Sequence, residues 1–592
     1  MRVQVTLIAA EELHRLRRAM TIFQIPFRHS EGGIKGVTGN SLAIGFVWAS
    51  VVAALAFIVV YPIVKLVIFS FTARTGLTFD NYFYAFGRER YLQALWNSLL
   101  YGSATTLVAT LLALPLAWGF ARTKMPGKTL IRAGLLGTFV IPSYLGAVAW
   151  ILLAGPNAGW INRVWMFLSG AESGLFNVYS FGGLVFVSAL YAIPYIFVYV
   201  SDGLSAVSSE MEDAARMLGA GTIGVAVKIT LPLVAPAIFN GCLIVFLDTI
   251  ALFGTPAVLG LPAHFNVAAV QLLEFFEYPV RAEAAAAYSL PLIAITCLAL
   301  WLQRVLRGRR SYESVTGRTS VQIGAASPVV EWMLFAYAML ILTLAVGLPV
   351  ACLAKAAFSV AWGRPLTLAN LTMANFSELL SSIDAQRGII NSLAIAALAA
   401  SAAVALGICT AYAVARRVFP MSSVLGPISL GTLAIPGITL GIGFYSAFST
   451  APFRLYGTIT IIVLAFSARF LPMAYGSCVS GLAAISTQLE EAVRSLGGSQ
   501  LTSVRHVIVP LLRKHLLSAW ILVFILAIRE LSVVVFLAGP GSRTISMLLL
   551  DYSEGGNLEL TAALGLVLLA MTLIVVIVGQ ALLGRDLLSR SQ

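Results

Sequence analysis

The stretch "LEEAVRSLGGSQLTSVRHVIVP" at residues 489–510 is polar, yet it lies between two segments that are apolar enough to cross a membrane. A near copy, "MEDAARMLGAGTIGVAVKITLP", occupies residues 211–232 in a similar setting. Each copy has acidic residues followed by alanine, then two glycines, and ends in proline. Glycine breaks a helix, and proline suits the first turn of the next one. We therefore predict, twice in the chain, a short helix, a bend and a second helix standing on the membrane surface.

The composition assigns the chain to the membrane proteins before any motif is considered. Of its 592 residues, 59% are hydrophobic and only 11% are charged, and the mean hydropathy is +0.91. A water-soluble protein of this size needs more polar residues to cover its surface. The basic cluster near the N-terminus follows a short apolar run, which is the wrong order for a cleavable signal peptide. We therefore expect an integral membrane protein whose first apolar span remains as an anchor.

Twelve apolar segments are long enough to cross a bilayer as helices, which takes about 20 residues each. Six of them lie in each half of the chain. They lie near residues 46–71, 96–120, 131–154, 180–201, 233–253, 285–303, 331–358, 391–415, 424–448, 457–479, 517–537 and 561–583.

Basic residues in short loops predict the orientation, because they resist translocation. The turn at 122–132 carries four basic residues and no acid, and the segment 304–318 carries five arginines against one glutamate. Both are expected in the cytoplasm, together with both termini and both polar stretches. The predicted domains are a cytoplasmic N-terminal segment at 1–45, a first transmembrane domain at 46–306, a cytoplasmic linker at 307–328 and a second transmembrane domain at 329–592.

The two halves are copies of one another. Asn97-Ser98-Leu99 recurs as Asn391-Ser392-Leu393, and "AWGFAR" at 117–122 recurs as "AYAVAR" at 411–416, both displaced by 294 residues. Ile141-Pro142 recurs as Ile435-Pro436 with the same offset. The polar stretches are displaced by 278, so the first copy holds 16 more residues, which we place in the external segment after residue 154.

These repeats predict the fold class. Six spans per half put both copies in the same orientation, as a parallel repeat about an axis along the membrane normal. We expect an all-α polytopic membrane protein with about twelve transmembrane helices in two parallel six-helix repeats, and a pore between the halves.

The polar stretches also resemble a known motif, the EAA loop of permease subunits of binding-protein-dependent ABC importers of the type I, MetI-like class. The pattern is Glu-Ala-Ala, a Gly six positions after the Glu, and Ile-x-Leu-Pro beginning ten after the Gly. The first copy matches it with Asp213, Ala214, Ala215, Gly219, Ile229, Leu231 and Pro232, preceded by Glu212. The second copy matches it with Glu491, Ala492, Val493, Gly497, Val507, Val509 and Pro510, preceded by Glu490.

The resemblance covers residues from about 45 to 585, and a fusion of two such halves is most similar to the ferric-iron permease group. It implies that the EAA helices dock in grooves of a separate ATPase, in two copies, and that a solute-binding protein delivers the cargo. It further implies a bacterial cytoplasmic (inner) membrane location. Ferric iron is the first expected cargo, with thiamine, an organophosphonate, a sugar phosphate or a polyamine as alternatives.

Enzyme chemistry is not indicated in this chain. "MPGKT" at 125–129 ends like a phosphate loop, but Arg122 stands where the leading glycine belongs and no strand precedes it. The five histidines are scattered, and the five cysteines form no CxxC pair, so no catalytic, metal or disulfide site is predicted. We expect no cofactor in this chain, with ATP bound by the partner, and no nucleic-acid binding.

Ionisable residues inside spans are expensive and are therefore candidates for the translocation path. Asp248 lies in span five, and Arg529 and Glu530 lie in the matching part of span eleven. The two acids could attract a cation while Arg529 positions one of them, or Arg529 could pair structurally with Glu530 or a carbonyl. Pro142 and Pro436 are further path candidates.

The alternative functions are a secondary transporter of the twelve-helix kind and, behind it, a passive channel or scaffold. The secondary transporters would carry a Gly-x-x-x-Asp-Arg turn after the second span. The turn in this chain reads "ARTKMPGK" at 121–128. The sequence therefore favours the ABC permease.

Overall fold

The computed structural model describes residues 38–73, 76–207, 209–307, 327–365 and 367–583. The chain divides into two units, Met1–Ser50 and Val51–Gln592. Of the first unit, residues 38–50 are described, and they begin helix α1. The proposed N-terminal segment lies largely, and the linker almost wholly, outside the described residues.

The described chain is almost entirely helical. In the first half the helices are α1 Thr38–Leu55, α2 Tyr61–Ser70, α3 Asp80–Phe86, α4 Glu89–Arg122, α5 Lys128–Gly137, α6 Ser143–Ala154, α7 Trp160–Ser169, α8 Phe181–Ala206, α9 Ser209–Met217, α10 Thr222–Val225, α11 Leu231–Ala251, α12 Ala268–Glu274 and α13 Ala282–Arg307. A hairpin joins β1 Thr72–Ala73 to β2 Gly76–Leu77.

The second half repeats this order without the hairpin. Its helices are α14 Pro328–Leu342, α15 Leu348–Ala357, α16 Ala374–Ser381, α17 Ile383–Ala415, α18 Leu425–Gly431, α19 Gly437–Phe448, α20 Ile459–Ala483, α21 Gln488–Ser495, α22 Gln500–Ser503, α23 Val509–Ile528, α24 Val534–Leu537, α25 Ile545–Glu554 and α26 Leu558–Leu583. The extra residues of the first copy form Gly155–Ser180, which contains α7, where the second copy has Ser449–Thr458. The predicted place of the insertion is therefore confirmed.

Ten helical runs of the described chain are long and apolar enough to cross a membrane, or up to twelve if each of two bent pairs counts as one span. The ten runs are Gly45–Ser70, Glu89–Arg122, Phe181–Ala206, Ala226–Ala251, Ala282–Val305, Pro328–Ala357, Ile383–Ala415, Ile459–Ala483, Val504–Ile528 and Leu558–Leu582. This confirms the predicted fold class, an all-α polytopic protein of about twelve membrane helices.

The third span of each half is bent, whereas the span count had treated it as one straight helix. The pairs Lys128–Val140 with Ser143–Ala154, and Ser422–Ala434 with Gly437–Phe448, turn by 98° and 111°. The bends fall at Ile141-Pro142 and Ile435-Pro436, where the isoleucines are extended. A residue that precedes proline is disfavoured in the helical region, so each helix ends there and a new one begins after the proline.

Of the prolines inside continuous helical runs, four each follow shortly after a π-helical turn. The turns are Ala56–Val60, Ala226–Thr230, Thr343–Gly347 and Val504–Ile508, and the prolines are Pro62, Pro232, Pro349 and Pro510. Proline lacks an N–H and clashes with the preceding helical turn, and a π turn widens the helix at that point. Pro232 and Pro510 lie in the first turn of α11 and α23, as predicted, although a π turn joins each of these helices to the short helix before it.

The halves interlock through their first helices. In the second unit, α2 packs against α19 of the other half, and α15 packs against α6. Within each half the principal pairs are α4 with α8 and α17 with α20. Small residues allow the close approach that membrane helices need, and at Gly407 an added Cβ would lie 3.1 Å from the backbone of Ala474.

Candidate functional site

The first polar stretch forms a polar loop that is anchored to the end of a membrane helix. We call residues 209–232 the first polar loop. The Glu212 carboxylate is buried and lies 3.0 Å from the Arg122 guanidinium at the end of α4. The Thr230 hydroxyl donates to the same carboxylate over 2.8 Å, and Arg122 also donates to the carbonyl of Val207. Glu212 therefore ties the two ends of the loop to the membrane domain.

The second polar loop, residues 488–510, repeats this anchor. Glu490 is 4% exposed and accepts hydrogen bonds of 2.7 Å from Arg416 Nε and from the Tyr412 hydroxyl. Arg416 also donates to the carbonyl of Ile485. Arg416 is displaced from Arg122 by 294 and Glu490 from Glu212 by 278, the offsets of the two repeat segments. The "Ala-Arg" end of the second span and the first acid of each loop are thus partners.

The outward side of each loop carries large apolar side chains. Met217 and Leu218 are each 90% exposed, and Leu496 is 89% exposed. Glu491 is exposed as well, in contrast to the neighbouring Glu490. Short helices with exposed apolar residues at one end of a membrane domain are suited to a helix-in-groove contact with another protein.

The two loops have the same spacing because their backbones turn at equivalent glycines. Gly219 and Gly497 have φ of +85° and +82°, which glycine adopts without strain. Both lie beyond the ends of α9 and α21, so Ala215 and Gly219 do not share a helical face as their spacing had suggested. The other motif residues occupy similar places in both loops: Ala214, Leu231, Pro232, Ala492, Val509 and Pro510 are exposed, and Ala215, Ile229 and Val507 are half-buried.

A second candidate site is a group of four charges between the halves, Asp248, Arg469, Arg529 and Glu530, which we call the charge cluster. Arg469 Nε lies 3.1 Å from Glu530 Oε2, and both side chains are mostly buried. Arg529 donates to the carbonyl of Phe139 and interacts with Tyr195. Arg529 therefore holds a carbonyl of the other half, which is one of the structural partners that the sequence had left open.

Asp248 differs from the other three charges. It interacts electrostatically with Arg469, Arg529 and Glu530, yet no hydrogen bond or ion pair reaches it from the part of the chain that the structure describes. Asp248 keeps accessible surface within the protein, although it lies deep enough for charges of the second half to act on it. A carboxylate in this setting lines a water-accessible space inside the protein, since lipid would exclude such a group.

The charge cluster lies against both helix bends. Phe139, whose carbonyl binds Arg529, precedes Pro142 by one turn, and its ring packs on Tyr195 with centroids 4.9 Å apart. Gly437, which follows Pro436, lies against the Arg469 guanidinium so closely that a Cβ would meet it at 2.2 Å. The bends at Pro142 and Pro436 therefore present backbone to the charge cluster, and a movement of either bend would disturb it.

Acidic side chains meet on the face opposite the polar loops. Desolvation, followed by repulsion from Asp551 and Glu277, raises the pKa of the Glu554 carboxyl. Glu277 belongs to the first half and Glu554 to the second, so a loop of each half brings acids to this face, where Arg543 pairs with Asp551. Such a concentration of negative charge attracts cations.

Arg469 was missed from the sequence. It lies in the middle of the span Ile459–Ala483 and satisfies the same rule that selected Asp248, since an ionisable residue inside a span is a functional candidate. The pairing of Arg122 and Arg416 with the loop acids was also missed, although both arginines had been noted as repeat markers. Within the described residues no group of three or more His, Cys, Asp or Glu side chains is placed to hold a metal ion.

Comparison with known proteins gives consistent matches. A family model described as binding-protein-dependent transport system inner membrane component matches residues 90–312 and again residues 403–585. The ferric transport system permease protein FbpB of Actinobacillus pleuropneumoniae is 26% identical over 576 residues, covering 94% of this chain and 81% of that protein. The putative 2-aminoethylphosphonate transport system permease protein PhnV of Salmonella typhimurium is 30% identical over 227 residues, covering 38% of this chain and 85% of that protein.

Among solved structures, the chain is similar to one from the crystal structure of a bacterial alginate ABC transporter in complex with an alginate pentasaccharide-bound periplasmic protein. That match has a TM-score of 0.39 and 13% identity, and it covers 47% of this chain and 98% of the other.

Proposed function

The chain belongs to the family of binding-protein-dependent transport system inner membrane components, and we propose that the cargo of this permease is ferric iron. As a multi-pass permease of an ABC importer it provides the membrane path rather than an enzymatic step. The observation that carries the iron proposal is the similarity to a ferric transport permease along 94% of the chain. The phosphonate permease relative, in contrast, covers only 38% of it.

The charges along the path support a cationic cargo. Asp248 is solvent-accessible and has no cation bonded to it, whereas Glu530 is already paired with Arg469. The external acids Glu277 and Glu554 would concentrate cations at the mouth. Because no cluster of metal ligands lies along the described path, the ion would pass Asp248 without being held tightly.

The cargo is tested by uptake of radiolabelled ferric iron into proteoliposomes that contain the permease, its ATPase and its binding protein. We expect Asp248→Asn to slow uptake about tenfold with no change in the thermal unfolding midpoint, because one favourable charge contact of about 1.4 kcal/mol is lost. Leu526→Asn, at the position of the second half that matches Asp248, is the control and should retain faster uptake than Asp248→Asn. Transport of 2-aminoethylphosphonate in place of iron would refute the proposal and favour the phosphonate alternative.

We further propose that the two polar loops bind two copies of a separate ATPase, which binds ATP, on the cytoplasmic side. This places both termini in the cytoplasm and the acids around Glu554 outside, where the solute-binding protein delivers its ligand. The exposed Leu218 and Leu496 would fill the ATPase grooves. The buried anchors Glu212 and Glu490 would transmit movement of the ATPase to the membrane helices.

The coupling assignment is tested with Gly219→Asp and Gly497→Asp. Neither position has an atom of this chain within 4 Å of an added Cβ, so the permease itself should fold. Asparagine tolerates a positive φ at least as well as aspartate and is almost isosteric with it, so Gly219→Asn and Gly497→Asn are matched controls. Burying the unpaired charge should release the ATPase during co-purification, at a cost of several kcal/mol. Equal retention of the ATPase by the Asp and Asn variants would contradict the assignment.

A further inference from the structure

A cavity of about 550 Å³ opens on the face opposite the polar loops, and we call it the outer pocket. It is formed by α7, which exists only in the first half, by the end of α15 in the second half, and by the loop that follows α15. Its lining includes three cations and a set of apolar side chains: Arg163, Lys355, Arg364, Trp160, Phe167 and Leu168.

The three cations of the outer pocket have no acidic partner. Within the ranges that the structure describes, no ion pair involves Arg163, Lys355 or Arg364. Arg163 and Lys355 are close enough to repel one another. The nearby Glu559 accepts a hydrogen bond from the backbone N–H of Trp362 over 2.7 Å. Three positive charges in one cavity, none of them ion-paired within the described chain, form a site for an anionic group.

Aromatic rings hold Lys355 in position, and a backbone carbonyl holds Arg163. Lys355 Nζ lies 4.3 Å from the ring centroid of Trp362 and 6.0 Å from that of Trp160, as in cation–π contacts. Arg163 donates to the backbone carbonyl of Gly363, which joins α7 to the loop after α15. The pocket is therefore built by contacts between the two halves.

The apolar part of the outer pocket lies at the boundary between the protein and the lipid. Lys355 is in the last turn of the span Pro328–Ala357, and the most apolar stretch of that span is little buried inside the protein, so this stretch faces lipid. Phe167 and Leu168 on α7 are 88% and 76% exposed, which is typical of an amphipathic helix lying in the interface. Tryptophans at this depth mark the boundary between lipid and water.

The matching groove of the first half provides an internal comparison. Pro62 and Pro349 are displaced by 287, and with this offset Ile68 corresponds to Lys355. A cavity of about 440 Å³ at the end of α2 is lined by the uncharged side chains Val67, Ile68, Phe71, Leu77, Thr78 and Phe79, as far as the described residues show. Among the described residues, the groove at the end of α15 therefore carries cations that the groove at the end of α2 does not.

We propose that the outer pocket binds one anionic phospholipid, with its phosphate between Arg163, Lys355 and Arg364 and an acyl chain against Phe167 and Leu168. Basic pockets between membrane helices are known to hold anionic lipid headgroups. The bound lipid joins α7 to α15 and so supports the contact between the halves on this face.

The test is native mass spectrometry of the full chain in detergent, titrated with dioleoylphosphatidylglycerol or dioleoylphosphatidylcholine. The wild type should retain one phosphatidylglycerol molecule in preference to phosphatidylcholine. Arg163→Gln/Lys355→Gln should weaken that binding on the order of 30-fold, since each basic residue near an anionic lipid contributes about fivefold. Arg387→Gln/Arg454→Gln removes two exposed positive charges elsewhere on the same face and should bind like the wild type.

Three results would overturn the proposal. The first is equal phosphatidylglycerol retention by the two double variants when both have the wild-type unfolding midpoint. The second is displacement of the lipid by sn-glycerol 3-phosphate, which would make the pocket a site for a soluble phosphate. The third is loss of affinity for the solute-binding protein in Arg163→Gln/Lys355→Gln but not in the control, which would make the pocket a protein-docking site.

Discussion

Glu490→Gln is the substitution that best separates the anchoring of a polar loop from its docking. The Glu490 carboxylate is 5% exposed in its side chain, and Arg416, its partner at 2.7 Å, is 15% exposed. Glutamine preserves the shape and can still accept from the Tyr412 hydroxyl, but it leaves the Arg416 charge partly buried without its carboxylate. The helix Gln488–Ser495 should then separate from the end of α17 more often.

The size of the effect follows from the burial of the pair. Removing one partner of a buried ion pair costs about 3–5 kcal/mol. Because Arg416 retains some solvent and its hydrogen bond to Ile485, we take the lower end, about 3 kcal/mol. A change of 1.4 kcal/mol is tenfold in an equilibrium, so local opening of the loop should rise on the order of 100-fold.

Hydrogen exchange measures this opening directly. We expect the amides of residues 492–496 to exchange on the order of 100-fold faster in Glu490→Gln, while amides in α17 keep their protection. Glu491→Gln changes the same charge at the next position, which is exposed, and should exchange like the wild type. Combining Glu490→Gln with Arg416→Gln closes a double-mutant cycle that isolates the pair from other effects.

The reasoning would be refuted by wild-type exchange in Glu490→Gln, or by equal acceleration in Glu490→Gln and Glu491→Gln. Either result would mean that the buried ion pair does not hold the loop. Additive effects of Glu490→Gln and Arg416→Gln would also refute it, since contacting partners should show a coupling energy of at least about 0.5 kcal/mol.

Two further outcomes are expected. Arg469→Gln should lower the free energy of unfolding by about 3 kcal/mol, measured by thermal scanning, because Glu530 loses its buried cation. Arg469→Lys keeps the charge and should recover part of the loss. An unchanged unfolding midpoint in Arg469→Gln would contradict the pairing. A cysteine at Ser169 should react with an impermeant thiol reagent added outside intact cells, whereas one at Ser495 should react only after the membrane is opened. Labelling of the Ser495 cysteine in sealed cells would reverse the proposed orientation.

The membrane fold was predictable because its signals are long and repeated. Spans of about 20 apolar residues and a constant offset between copies do not depend on tertiary contacts. The bends were less accessible. Pro142 and Pro436 show that a helix is interrupted, but the angles of 98° and 111° depend on what each half packs against. The number of spans could therefore be predicted from the sequence, but the bends of two of them could not.

The candidate sites were predictable only in part, because adjacent residues of a short helix can face opposite ways. Glu490 and Glu491 are equivalent by composition, and only the position of Arg416 makes one an anchor and the other exposed. Arg529 was correctly selected as an ionisable residue in a span, but its partner, the Phe139 carbonyl, is 390 residues away in the sequence. Such a partner cannot be inferred from one sequence without a structure.

The differences between the two copies show how the duplicated scaffold is used. The anchors Arg122–Glu212 and Arg416–Glu490 are present in both halves, as expected if each half must hold an equivalent ATPase. The charges of the path are not duplicated: with the offset of 278, Asp248 corresponds to Leu526 and Arg469 to Tyr191. A fused chain can change one copy without changing the other, and a single asymmetric set of charges satisfies a path that both halves share. The two copies therefore share the loop anchors, whereas the charge cluster and the outer pocket differ between them.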